Sequence, residues 1–215
     1  MTFESFFIGE NSALVEALKD EDQKLIWITA DSGNGKTHLL SSLCNEYDSF
    51  DKRIQYLNMD EIKDYSSEII EGLEGLDLIA IDAMDSVIGQ HSWEEKLMHL
   101  YESILNTNTR LIIASKETPK GLDFKIPDLA SRFSLSLLFR VKPLDDDGLV
   151  FAAQHHAKAR GFELPDDSAK FIIKRTARTV TSLLDILDTL DYESLSRDRK
   201  STRLNSSHQI ISYAV

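Results

Sequence analysis

The chain has 215 residues, with 24 Lys and Arg against 36 Asp and Glu, for a formal net charge of −12. That length suits one large domain or a domain with a small appendage, and 42% hydrophobic residues are enough for a sizeable core, so the composition excludes a disordered chain. The acid excess excludes a surface that grips nucleic-acid phosphates along its whole face, because such binding needs a basic stripe.

Cys44 is the only cysteine, so no intrachain disulfide can form, and the usage fits a reducing compartment. The opening Met1-Thr-Phe-Glu-Ser-Phe-Phe7 has neither a basic region nor a long apolar one, and no apolar run approaches the ~20 residues that cross a bilayer. These features predict a soluble cytoplasmic protein without membrane contact.

Apolar runs of strand length alternate with helical periodicity through roughly the first two thirds of the chain, the pattern of a parallel α/β sheet. In chain order the pattern predicts a helix over Ser12–Lys19 with Asn11 or Ser12 as N-cap, a strand over Leu25–Thr29 and a helix over Thr37–Tyr47. Strands over Ile54–Leu57 and Leu78–Ile81 follow, then a helix over Trp93–Asn106 with Leu97, Leu100, Tyr101 and Ile104 on one stripe. The last two strands are Leu111–Ala114 and Ser136–Phe139.

From Leu144 onward only helices are predicted, over Asp146–Arg160, Asp166–Arg175 and Val180–Ser196, with Gly161 and Pro165 as breakers. The expected organisation is a nucleotide-binding base domain over residues 1–143 and a helical lid over 144–200. Ser201–Val215 carries one charge, Arg203, and four serines, and reads as a non-native tail; without it residues 1–200 carry 23 − 36 = −13.

The first strand runs into Ala30-Asp31-Ser32-Gly33-Asn34-Gly35-Lys36-Thr37 and then a helix opening at His38. A glycine loop between strand and helix turns backbone N–H groups inward toward phosphate oxygens, which the helix N-terminus also attracts. Gly33 and Gly35 supply the backbone freedom, Lys36 a charge between β- and γ-phosphates, and the Thr37 hydroxyl a ligand for Mg²⁺. A chance Gly-x-Gly-Lys-Ser/Thr in such a chain is on the order of one in a hundred. The first glycine of the usual pattern is Ala30, which fits only with negative φ.

Leu78-Ile79-Ala80-Ile81-Asp82 is an apolar strand ending in a carboxylate, the arrangement that holds Mg²⁺ through its water shell beside such a loop. Alone, Asp82 reads as the start of a turn; the upstream loop favours the metal. Where ATPases of this layout carry a second acid, the chain has Ala83, and a methyl group accepts no proton. Asp85 is the nearest substitute, although on a turn it more simply caps.

Read together, these stretches resemble the AAA+ family, and within it the DnaA-type replication initiators and their short relatives, the Hda-type regulatory inactivators of DnaA. Phe3-Glu-Ser-Phe-Phe-Ile-Gly9-Glu-Asn11-Ser12 is similar to the family's adenine-side opening, and Gly35-Lys-Thr-His-Leu-Leu40 to the initiators' phosphate loop. Trp93-Glu94, Pro127-Asp-Leu-Ala-Ser-Arg-Phe133 and Arg160-Gly-Phe-Glu-Leu-Pro165 are closer to the inactivators. The resemblance covers residues 2–200 and implies a five-stranded parallel sheet followed by a three-helix lid.

By that resemblance Phe7, Ile8, Gly9, Asn11, Gly33, Asn34, Gly35, Lys36, Thr37, His38, Asp82 and Arg178 bind ADP (or ATP), with Thr37 and Asp82 toward Mg²⁺. It also makes Arg132 an arginine finger acting on a neighbour's nucleotide, with DnaA as the neighbour; by spacing alone, Arg132 pairs with Asp128 four residues earlier. Lys116 stands where relatives place an acid near the γ-phosphate, and Thr181 where they place the lid's sensing arginine, with Arg178 one turn earlier. Relatives carry an N-terminal Gln- and Leu-containing peptide for the DNA polymerase sliding clamp; this chain starts after that point, which leaves clamp engagement open, as it does self-association.

Asp145-Asp146-Asp147 reads as a helix cap rather than a metal cluster, His155 and His156 as surface residues, and Leu183, Leu184, Leu187 and Leu190 as lid packing. The expected function is regulatory inactivation of DnaA, with weak or no ATPase activity of its own. The competing readings are an autonomous motor of helicase-loader type, which Ala83 disfavours, and an initiator-like DNA-binding fragment, which lacks a basic helix-turn-helix after the lid.

Overall fold

The computed structural model describes residues 1–177 and 179–189. They form two compact units, Met1–Leu144 and a second beginning at Asp145.

In chain order the first unit contains α1 (Ser12–Lys19), β1 (Leu25–Thr29), α2 (Lys36–Ser49), β2 (Ile54–Asn58) and α3 (Met59–Ile62), then β3 (Leu78–Asp82), α4 (His91–Ile104), β4 (Arg110–Ser115), α5 (Pro127–Phe133) and β5 (Leu137–Arg140). The five strands make one sheet in the order β2-β3-β4-β1-β5, with every pairing parallel. All strand C-termini therefore meet one edge, where open parallel sheets bind ligands.

The strands read as continuous apolar runs because helices cover both faces of the sheet. Side chains alternate along them: Trp27, Ile79, Ile81 and Ile113 join Trp93, Leu97, Leu129 and Phe133 of α4 and α5 on one face. Ile26, Ile28, Ala80 and Ile112 join Leu14, Leu18, Leu39 and Leu43 of α1 and α2 on the other. The sheet edge is thinner: Leu137 and Leu138 of β5 are exposed, and the strand lies one residue later than its pattern predicts.

Two short helices escape the sequence pattern. α3 is a single turn whose start is capped by the Asn58 side chain, which accepts from the Asp60 N–H at 3.2 Å. α5 has only seven residues, too few for an amphipathic repeat to stand out, with Pro127 at its first position. Asn11 does precede α1, but its side chain does not cap it: Nδ2 donates to the Lys142 carbonyl at 3.2 Å and Oδ1 accepts from the Lys142 N–H at 2.7 Å.

Arg110, first residue of β4, is buried, and its guanidinium spans the C-terminal end of α1. It donates to the carbonyls of Leu18 at 3.0 Å, Ala17 at 3.3 Å and Gln23 at 2.9 Å, and to the Tyr47 hydroxyl at 2.7 Å. The carbonyls of Ala17 and Leu18 are ones that a helix end leaves unpaired, met by a cation at the negative end of the helix dipole.

Cys44 lies within α2, where burial pushes its thiol up to about 11. Little thiolate then exists near neutral pH, so alkylation of the native protein is expected to be slow and to accelerate when denaturant exposes the residue. Equal rates with and without denaturant, followed by mass spectrometry, would contradict this burial.

The second unit contains α6 (Asp146–Ala159), α7 (Asp166–Ile173) and a helical stretch over residues 180–189. Asp145 caps α6, its carboxylate accepting from the Gly148 N–H at 2.8 Å, while Gly161 at φ +86° follows the helix end and Pro165 precedes α7. Ala153, Ala157, Ala169, Ile173, Leu183 and Leu187 are buried in this unit. His156 and Arg160 meet Asp188 at 2.7 and 2.8 Å, and His155 stacks on Phe151. The expected continuation of the last helix to Ser196 and the tail over Ser201–Val215 lie outside the described residues. Among the described residues no helix is long and apolar enough to cross a membrane.

Candidate functional site

The sequence between β1 and α2 folds as a tight loop because two glycines adopt left-handed backbone, Gly33 at φ +82° and Gly35 at φ +87°. At Gly35 a β-carbon would also come within 3.2 Å of the Phe6 ring, so a larger residue there would strain the backbone and press on that ring. Ala30 is not among the residues of positive φ, which meets the condition that alanine imposes at that position.

Lys36 opens α2 and folds back over the loop, its Nζ donating to the carbonyls of Ala30 at 2.6 Å and Asp31 at 3.1 Å. Burial draws its ammonium below the usual lysine range, with the carboxylates of Asp82 and Asp85 opposing that shift. A half-buried cation held only by carbonyl dipoles is suited to exchange them for a phosphate.

Asp82 ends β3, buried, on the strand two places from β1 in the sheet. Its Oδ1 accepts from the Ala83 N–H at 2.8 Å, and its Oδ2 accepts from the Thr37 hydroxyl at 2.5 Å and the Tyr56 hydroxyl at 3.1 Å. A carboxylate and a hydroxyl brought together in this way are a hard-oxygen pair that fits Mg²⁺. Tyr56 was not anticipated. It comes from β2, whose register places Tyr56 opposite Ala80, two residues before Asp82. No linear motif carries that information. Burial first, then the Asp82 charge, raises the Tyr56 phenol far above its ordinary value, so it remains a donor to Asp82.

After Asp82 the chain turns at once, with Ala83 at φ +52° and ψ +40°, an uncommon conformation for a residue with a β-carbon. Asp85 is committed to Lys116, accepting from its backbone N–H at 3.0 Å and pairing with its Nζ at 3.4 Å. The first acid after Ala83 is thus engaged by Lys116.

The N-terminal segment lies against α2. His38 Nε2 is 3.0 Å from Ser5 Oγ and 3.2 Å from the Thr2 carbonyl, and its ring meets Phe6 at 5.7 Å. Phe7 touches the space above Gly9, which is left-handed at φ +48°, and Ile8 is exposed. Asn34 is half-buried beside the two loop glycines. Asn11 is occupied with Lys142, so its place in the fold is a tie between the N-terminal segment and the chain after β5.

Arg132 projects from the last turn of α5 and meets side chains of α4 and α5. It donates from Nε to Asp128 at 3.0 Å, pairs through Nη2 with Asp128 at 3.0 Å and Glu102 at 3.3 Å, and lies 5.7 Å from the Tyr101 ring. The hydrogen bond it donates to Asp128 raises its already high proton affinity further. The i,i+4 pairing with Asp128 is therefore present, with Glu102 added. Arg178 lies outside the described residues, and Thr181 is exposed.

The pattern of the bacterial DnaA ATPase domain matches residues 1–140, and that of the Hda lid domain matches residues 146–203. Among solved structures, domain III of the replication initiation protein DnaA from Thermotoga maritima superposes with a TM-score of 0.77 at 23% identity, covering 91% of this chain and 89% of that one. AMPPCP-bound DnaA from Aquifex aeolicus gives 0.72 at 23% identity over 99% of this chain and 72% of its own. The Thermotoga maritima RuvB Holliday junction branch migration motor gives 0.61 at 18% identity over 82% and 58%. The chain belongs to the family of bacterial DnaA ATPase domains, as a DnaA-related AAA+ protein with an Hda-type lid.

Proposed function

We propose that this protein is a nucleotide-binding regulator that inactivates the replication initiator DnaA in the cytoplasm, promoting hydrolysis of DnaA-bound ATP through Arg132 and so limiting initiation. The observation that carries the reading is the split between the two halves of an ATPase. A loop and metal pair suited to hold a nucleotide are present, yet the position after Asp82 has no acid and Asp85 is turned to Lys116. The finger position, by contrast, is present and reachable, with the Arg132 side chain 30% exposed.

In this reading Gly33, Asn34, Gly35 and Lys36 hold the phosphates of ADP or ATP as a conformational ligand, and the similarity to AMPPCP-bound DnaA supports it. Mg²⁺, which would neutralise phosphate charge there, would be held by Thr37 and Asp82. Arg132 has to leave Asp128 and Glu102 to reach a neighbour's nucleotide. Both pairs are solvent-exposed, so parting them costs little beside the stabilisation a finger provides. The DNA polymerase sliding clamp, loaded on DNA, is the proposed meeting place.

The test is ATP hydrolysis by this protein alone, by DnaA alone, and by both with clamp and DNA. Near-background hydrolysis by this protein and marked stimulation of DnaA are expected. Vigorous hydrolysis by this protein alone favours a motor instead, and absence of stimulation overturns the proposal.

The metal pair gives a separate expectation. Tyr56→Phe removes the hydroxyl that orients Asp82 and is expected to raise the Mg²⁺ concentration for half-maximal nucleotide binding about tenfold, with Asp82→Asn at least as severe. Titrating Mg²⁺ against a fluorescent nucleotide measures both; an unchanged midpoint for Tyr56→Phe removes that residue from the site.

A further inference from the structure

Glu94, near the start of α4, is fully buried, and backbone N–H groups alone meet its carboxylate. Oε1 accepts from Gly89 at 2.7 Å and Lys125 at 3.0 Å, and Oε2 accepts from Ile126 at 2.7 Å. A buried carboxylate is costly unless charge-assisted hydrogen bonds surround it, so three donors from two separate segments mark a place where the fold is pinned.

Two of those donors sit at the entrance to α5, and Ile126 is its N-cap residue. In a capping box the third helical residue reaches back to that N–H, but here the third residue is Leu129, which accepts nothing. Glu94 supplies the missing acceptor from a different helix. Eight residues along α4, Tyr101 and Glu102 meet Arg132 at the other end of α5. At 1.5 Å per residue, Glu94 and Glu102 lie about 12 Å apart and Ile126 and Arg132 about 9 Å, so α4 brackets α5 at both ends. Between the brackets Phe133 packs on Trp27, Tyr101 and Phe124.

We infer that Glu94 is a positioning residue for Arg132: by holding the N–H groups of Lys125 and Ile126, it fixes where α5 begins against α4 and hence where the finger points. This rests on the reading that Arg132 acts on a partner's nucleotide. Displacements of about 1 Å at a catalytic group cost up to ~100-fold in rate. Glu94→Gln keeps the size but turns an amide N–H toward a backbone N–H.

The test compares native protein, Glu94→Gln, Arg132→Ala and the double variant in stimulating ATP hydrolysis by DnaA with clamp and DNA, alongside hydrogen exchange over the whole chain. Expected are a loss of stimulation of about tenfold or more in Glu94→Gln, a double variant no worse than Arg132→Ala, and faster exchange confined to Gly89 and residues 125–134. Stimulation within twofold of native, a further loss added to that of Arg132→Ala, or exchange accelerated evenly over the first unit would each overturn the inference. If Arg132→Ala stimulates as well as native protein, the finger reading fails. Local exchange then decides alone whether Glu94 sets α5. If Glu94→Gln does not fold, Glu94→Asp, which keeps the charge but withdraws it by one methylene, takes its place in the same assays.

Discussion

Arg132→Ala is expected to lower the stimulation of ATP hydrolysis by DnaA by roughly 10³-fold or more, the scale on which an arginine finger acts when it meets charge developing on a γ-phosphoryl group. The thermal midpoint of the protein itself is expected to move by less than about 4 °C. The interactions lost are the exposed pairs with Asp128 and Glu102 and the placement of the guanidinium over the Tyr101 ring. Arg132→Lys separates charge from geometry: it can still pair with Asp128 but has no planar fork, and it is expected to recover little stimulation. Stimulated hydrolysis and differential scanning fluorimetry on the same samples check both halves. A variant that keeps native stimulation reduces Arg132 to a surface ion pair.

The second large effect falls on stability. Arg110→Ala is expected to destabilise the protein by about 3–5 kcal/mol, because the buried Leu18 carbonyl and Tyr47 hydroxyl and the partly buried carbonyls of Ala17 and Gln23 lose their donor together while a cavity replaces the guanidinium. At ~2–4 °C per kcal/mol for a chain of this size, the thermal midpoint falls by on the order of 10 °C. Arg110→Lys is expected to recover only part of this, since one ammonium cannot span a helix end, a loop carbonyl and a phenol. Urea unfolding followed by circular dichroism reads the difference. A loss under about 1 kcal/mol would show that water replaces the guanidinium without cost.

The sheet was legible in the sequence because its central strands are covered on both faces, so Leu25–Thr29 and Leu78–Ile81 stand out as apolar runs between polar turns. The phosphate loop was legible because its function is written in consecutive residues, Gly33 to Thr37. The exposed edge strand was less so: with Leu137 and Leu138 open to solvent, no inward stripe fixes its bounds, and the expected start at Ser136 is one residue early. Residues whose roles depend on chain segments far apart in sequence were not legible. Tyr56 reaches Asp82 only through the pairing of β2 with β3, Glu94 reaches the start of α5 across 31 and 32 residues, and Arg110 reaches α1 across 92. Asn11 was misread in part for the same reason, since a side chain that composition marks as a helix cap is drawn away by the Lys142 backbone.

The left-handed turn at Ala83 bears on how such a protein could change over time. A residue with a β-carbon pays about 1–2 kcal/mol to sit at φ +52°, and its side chain leaves the backbone in a direction that a strand residue does not share. Position 83 therefore carries a methyl group on a left-handed backbone that leads straight into the 3₁₀ turn over Met84–Ser86. An acid placed there would project from that same turn, and giving it the heading of a strand residue would require the turn to be rebuilt. On the proposed function, a single substitution at position 83 would not by itself make the protein a self-sufficient ATPase, so its reliance on a partner's active site would be hard to reverse.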